Sequence, residues 1–115
     1  MKRSSRLTRN DVIKHVRKEG ITFARRTIVL GLLPNQLGKN RVAVIAGRSV
    51  GGAVQRNLAK RQLRSAYKTF QSELNEGFDI VLIARRPILK ANYASQLNEM
   101  RLLLEQAGLM KERVR

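Results

Sequence analysis

The 115-residue chain contains no cysteine, which excludes disulfides and thiolate metal sites. Its single histidine, His15, cannot supply a histidine-based zinc centre, and reads as a surface residue on the outer side of a first helix. Acids are scarce. The eight are Asp11, Glu19, Glu73, Glu76, Asp79, Glu99, Glu105 and Glu112. They form no evident carboxylate pair of the kind that holds metal ions or moves protons in protein nucleases. Glu73, Glu76 and Asp79 do cluster in sequence, and read as solubilising a helix end and the turn after it. The sequence therefore predicts no catalytic residue and no metal ligand. Apolar runs such as Val42 to Ala46 are far too short to cross a membrane. The basic start, Met1-Lys2-Arg3-Ser4-Ser5-Arg6, leads into no apolar h-region and is not a signal peptide. A soluble, cytoplasmic chain is expected, with no membrane association and no protein partner in evidence.

What the chain does have is positive charge. The formal net charge is +16 and the pI is near 11.7. Solubility alone does not call for so much charge of one sign, and self-repulsion opposes compaction. No acid falls between Glu19 and Glu73, and that gap holds ten cations: Arg25, Arg26, Lys39, Arg41, Arg48, Arg56, Lys60, Arg61, Arg64 and Lys68. Arginine outnumbers lysine 16 to 8. The planar guanidinium fork pairs with phosphate and stacks on bases, so the bias favours a nucleic-acid partner. Hydrophobic residues make up 43% of the chain, enough for one core, and the length fits a single domain over 1–115.

The elements follow from periodicity and punctuation. Thr8 to Lys18 reads as a helix, with Thr8 and Asp11 as a capping box, Leu7 and Val12 as a hydrophobic staple, and Gly20 as the stop. Ile21 to Leu33 reads as a long strand that bends or breaks in two. Pro34 to Asn40 is turn chemistry. Arg41 to Ala46 reads as a strand antiparallel to the preceding one. After a glycine-rich loop, Gly47 to Gly52, a helix runs from Ala53 to Leu74 and stops before Gly77. Phe78 to Ala84 is a near-continuous apolar strand expected at the centre of the sheet. Asn92 caps a last helix through Ala107, with Leu97, Met100, Leu103, Leu104 and Ala107 facing the core and Gly108 as its C-cap. The order is α-β-β-β-α-β-α, an α+β domain with about four strands and three helices.

The helix from Ala53 carries the sharpest pattern. At 100° per residue, Val54, Leu58, Ala59, Leu63, Ala66 and Phe70 fill one half, expected to pack on the sheet. Arg56, Asn57, Lys60, Arg61, Arg64 and Lys68 fill the other half, and Tyr67 falls on the border, free to pack or to stack. Exposed helix faces usually mix signs, because i to i+4 pairs of opposite charge stabilise them. Here Arg56 with Lys60, and Lys60 with Arg64, are like-charge pairs. A local cost without local compensation points to function. Two readings of that strip are an RNA-binding surface, enzymatic or structural as in a ribosomal-type protein or chaperone, and a DNA-binding helix. The second lacks a helix-turn-helix partner and a dimerising heptad.

The run from Gly47 through Arg64, Gly-Arg-Ser-Val-Gly-Gly-Ala-Val-Gln-Arg-Asn-Leu-Ala-Lys-Arg-Gln-Leu-Arg, resembles the signature of the bacterial ribonuclease P protein family. The Arg6-Leu7 start of the first helix, the apolar strands, Phe78-Asp79-Ile80-Val81 and the leucine-rich last helix agree with it. The resemblance implies an α+β fold with a left-handed β-α-β crossover around the basic helix. It implies a catalytic RNA subunit as partner and removal of the 5′ leader of precursor tRNA, with Mg²⁺ held mainly by the RNA. Arg56, Asn57, Lys60, Arg61 and Arg64 match the family's RNA-contacting motif, Arg48 sits at a usually basic loop position, and Lys68 extends the strip. The family also binds the leader in a cleft between the first helix and the sheet, often through aromatics. The matching positions here are Ile13, Arg17 and Gly31, and Phe23 is the one aromatic nearby. The leader-cleft candidates are therefore Ile13, Arg17, Phe23 and Arg25, with charge expected to outweigh stacking.

Overall fold

A computed structural model describes residues 10–111 of the chain. Helix α1 spans Asn10–Glu19, β1 Ile21–Ala24, β2 Ile28–Pro34, β3 Arg41–Ile45, α2 Ala53–Phe70, β4 Phe78–Ala84 and α3 Tyr93–Gln106. Short 3₁₀ turns follow α2 at Gln71–Glu73 and β4 at Arg86–Lys90. The expected α+β order therefore holds. Thr8 and Leu7, the proposed cap and staple, lie outside the described residues.

The first strand segment breaks rather than bends. The Arg25 N–H donates to Ile28 O at 2.9 Å, closing a tight hairpin between β1 and β2. α2 is shorter than expected and gives way to the 3₁₀ turn at Gln71.

The sheet order is β1-β2-β4-β3. β2 runs antiparallel to β1 and to β4. The expected antiparallel pairing of Arg41–Ile45 with the preceding strand is not formed: β3 pairs only with β4, and in parallel. The reason lies in β4. Its run Phe-Asp-Ile-Val-Leu-Ile-Ala is covered on both faces, so it takes a central position that β2 alone cannot enclose. The turn after β2 carries the chain past the start of β4. Within it the Asn35 carboxamide donates to Lys39 O at 3.0 Å, and the Phe78 N–H donates to Asn40 Oδ1 at 2.9 Å. The parallel β3–β4 pair then requires a crossover, and α2 is that crossover.

Two hydrophobic layers result. On one face, Leu30, Leu32, Val42, Ile80 and Leu82 meet Ala59, Leu63, Ala66 and Tyr67 of α2 and Met100, Leu103 and Leu104 of α3. On the other, Val16 of α1 packs with Ala43 and Val81, and Ile13 leans on that cluster. Gly20 fixes where α1 ends. A Cβ there would lie 2.5 Å from both Leu32 O and Val16 O, so only glycine lets the helix end meet the strand. α3 opens as read, with the Ser95 N–H donating to Asn92 Oδ1 at 2.8 Å, and closes at Gly108, φ 73°.

Asp79 corrects the reading of the acids. It is 4% exposed and ion-paired with Arg41, so it is a buried structural group and not a solubilising one. His15 is exposed on α1, as expected.

Candidate nucleic-acid interface

α2 is anchored by Ala59, Leu63, Ala66 and Tyr67, all buried. Counted from Val54 at 100° per residue, these four span about 120° to 220° of the helix. That arc is narrower than the apolar half read from the sequence. Val54 and Leu58 fall outside it and stand 79% and 37% exposed. They are corrected from core to surface. Tyr67, left open between packing and stacking, packs. It is 1% exposed, and burial pushes its phenol up to about 12, against a hydrogen bond from the Asn40 side chain that lowers it.

Lys60, Arg64, Lys68 and Arg61 stand beyond that arc, from about 240° to 340°, and Arg56, at about 200°, sits at its edge. Asn57, Arg61 and Lys68 are exposed, while Arg56, Lys60 and Arg64 are half-buried along the flank. Among the described residues, the close ion pairs are Arg25–Glu99, Arg41–Asp79 and Arg101–Glu105. None draws on an α2 cation. Arg56 Nε is buried without a hydrogen-bond partner among the described residues. The first turn of α2 holds no acid, and its N-cap, Gly52, has no side chain to receive the leading N–H groups. The helix is thus positive along one side and at its start.

The sheet register extends this charge beyond α2. Ile28 opposes Ala84, and Ile45 opposes Ile83, so the start of β2 and the ends of β3 and β4 share one end of the sheet. That end carries exposed Arg48 in the loop before α2, exposed Arg26 and half-buried Arg25 in the hairpin, and exposed Arg85, Arg86 and Lys90 after β4. Arg25, Arg26, Lys90, Asn92, Ser95 and Asn98 line a polar depression of about 340 Å³ there, with Glu99 on its wall. Sequence reasoning counted Arg26 only among the cations of the acid-free gap and passed over Arg85, Arg86 and Lys90, because only strand pairing brings the four together. The Arg85-Arg86 pair straight after an apolar strand was the available signal.

The leader-cleft candidates do not converge. Ile13 and Arg17 belong to α1, with Ile13 half-buried against the Val16 layer and Arg17 exposed. Phe23 opposes Leu30 and packs into the layer on the other face of the sheet. Arg25 lies 3.5 Å, Nε to Oε2, from Glu99 of α3. Strand alternation puts Phe23 out of reach of α1. Gly31 lies directly under the helix, where an added Cβ would sit 3.6 Å from Val16 Cγ1. What borders α1 on its own face is a half-buried apolar row, Val29, Ile83 and Ile45, aligned across β2, β4 and β3. Among the described residues, no group of three or more histidines or acids is placed to hold a metal ion, and no helix is long and apolar enough to cross a membrane.

The family model described as Ribonuclease P matches residues 1–108. A ribonuclease P protein component from Dehalococcoides mccartyi is 38% identical over 112 residues, covering 97% of this chain and 92% of the relative. One from Chloroflexus aurantiacus is 35% identical over 111 residues, covering 96% and 82%. The solved RNase P protein of Staphylococcus aureus superposes with a TM-score of 0.84 at 26% identity, covering 93% of this chain and 98% of that one. With sequence, signature helix and fold in agreement, the chain belongs to the bacterial ribonuclease P protein family.

Proposed function

We propose that this chain is the RNA-binding protein component of a ribonuclease P. It docks the catalytic RNA subunit on α2 and holds the 5′ leader of precursor tRNA beside α1, so that the holoenzyme acts as the endoribonuclease giving the mature tRNA 5′ end. The observation that carries this reading is the α2 strip. Arg56, Lys60, Arg61, Arg64 and Lys68 lie along one side of a helix anchored by its other side and meet no acid among the described residues, whereas Arg41 and Arg25 elsewhere are paired. A fold that leaves five like charges uncompensated is matched by a polyanion of the same length.

Arg48, Arg26, Arg85, Arg86 and Lys90 continue the positive surface across the end of the sheet and supply contacts for a second strand. The Val29–Ile83–Ile45 row beside Ile13 and Arg17 offers an apolar floor and one cation to a single-stranded leader. Among the described residues no cluster of acids or histidines suits a metal-dependent nuclease centre, and in this reading Mg²⁺ and the chemistry belong to the RNA while the protein neutralises charge and positions the substrate. The role in tRNA maturation assigns it to the cytoplasm. The test is processing of a precursor tRNA by the catalytic RNA at low Mg²⁺, with and without the protein. Stimulated formation of the mature 5′ end is expected. RNA binding without any stimulation would instead leave a structural RNA-binding protein.

A further inference from the structure

The α2 strip is not purely cationic. Val54, Asn57, Leu58, Arg61 and Arg64 line one open groove of about 570 Å³. Their spacing, i, i+3, i+4, i+7 and i+10, puts them on a single seam of the helix. Val54 is the most exposed of the protein's large hydrophobic residues among those described, at 79%, and Leu58 beside it is 37% exposed. Phosphate contacts alone need no such pair, since a phosphate gains nothing from an aliphatic surface.

We infer that this groove seats one unstacked nucleobase of the RNA subunit, with the flanking phosphates on Arg61 and Arg64. The chemistry fits part by part. Val54 and Leu58 offer an apolar floor to the face of a base. Arg61 follows Leu58 by one helical turn, and its planar guanidinium fork pairs with the phosphate beside the base. Asn57 presents both a donor and an acceptor to a base edge or a 2′-hydroxyl. The groove thus recognises an extruded base, where the rest of the strip recognises only the backbone. A protein occupant is disfavoured by the same residues. A second copy bound through this face would set its own Arg61 and Arg64 against these, a like-charge contact that costs affinity.

The inference rests on the RNA-docking reading, and the experiment separates the two. Affinity for the RNA subunit is measured across a range of salt for the native protein, for Val54→Ser/Leu58→Ser and for Arg61→Ala. Base-edge chemical probing of the bound RNA accompanies each titration. Both apolar side chains are exposed, so circular dichroism and the melting curve of the double variant should match the native protein. The expected result is a loss of about tenfold in affinity at every salt concentration, from the apolar area no longer buried. The slope against salt should stay unchanged, and one or a few bases should regain reactivity while the backbone footprint persists. Native affinity and native base protection in the folded double variant would overturn the inference. So would a concentration-dependent dimer of the free protein that the double variant abolishes. Failure of the native protein to bind, or an Arg61→Ala variant with an unchanged salt slope, would count against the docking reading instead.

Discussion

Arg41 and Asp79 face each other across the parallel β3–β4 register and form a two-pronged ion pair, Nε to Oδ1 at 2.8 Å and Nη2 to Oδ2 at 2.7 Å. The Asn35 carboxamide adds a third bond to Oδ1 at 3.0 Å. The pair joins the two strands that α2 connects, so it secures the crossover carrying the basic strip. Arg41→Ala would leave a carboxylate that is 4% exposed without its partner. A fully buried pair broken this way costs about 3–5 kcal/mol, and the Arg41 side chain, 28% exposed, reduces that to about 2–3 kcal/mol. Urea unfolding measures it. A loss under about 0.5 kcal/mol would show that the pair is ornamental.

Acid should weaken the fold for a stated reason. Burial raises the Asp79 and Glu99 carboxyls, but the bonds from Arg41 and Asn35 to one, and from Thr27 and Arg25 to the other, outweigh it and hold both below their usual range. Their folded values are depressed, so the unfolded chain takes up protons first as pH falls. The stability they supply is complete above the unfolded carboxylate range, near pH 4 to 4.5, and is lost as pH drops through it to the lower folded values. Asp79→Asn should flatten this part of the stability–pH curve. An unchanged slope between about pH 5 and pH 2 would refute the assignment.

Tyr67 gives the opposite branch. Its folded value is raised to about 12, so its contribution is complete below the unfolded phenol value, near 10, and falls away as pH rises towards 12. Tyr67→Phe keeps the ring and removes the titration. The native protein should lose stability over that interval faster than the variant. Parallel curves would mean that the phenol reaches water more freely than its burial implies.

The outcome at Tyr67 shows what the sequence held and what it did not. Helix period, glycine stops and the Asn92 cap were all readable, because each is a local property of a few consecutive residues. The α2 cations were readable for the same reason. Partnership across the sheet was not. Nothing near Arg41 announces that Phe78–Ala84, more than thirty residues on, will take the place beside it. The same blindness grouped Phe23 and Arg25 with α1, although strand alternation and the hairpin turn them towards α3. It also put Val54 and Leu58 on the core side by helical projection, when the buried arc of α2 is set by where the sheet and α3 lie.

RNA binding should be strongly dependent on salt. If roughly six cations meet phosphate, log K against log salt falls with a slope of about −4 to −5. Arg61→Ala should make that slope shallower by about 1. Arg101→Ala is the control, since its guanidinium is taken up by Glu105 at 2.9 Å and Asn98 at 2.7 Å on α3. Equal effects from the two substitutions would argue against α2 as the docking face.

Gly20 allows the two proposed RNA contacts to be pulled apart. A methyl group at this position collides with two backbone oxygens, Leu32 O and Val16 O, each at 2.5 Å, and neither can swing aside as a side chain would. Gly20→Ala must therefore shift the end of α1 against β2, at a cost of about 1–3 kcal/mol. The shift disturbs the apolar row beside α1, while α2 packs on the opposite face of the sheet. Affinity for precursor tRNA with a leader should fall towards that for tRNA without one, and affinity for the RNA subunit should stay within about twofold. If both affinities drop together in a variant that still folds, the leader and the RNA subunit share a single surface, and the assignment of the leader to the α1 face is wrong.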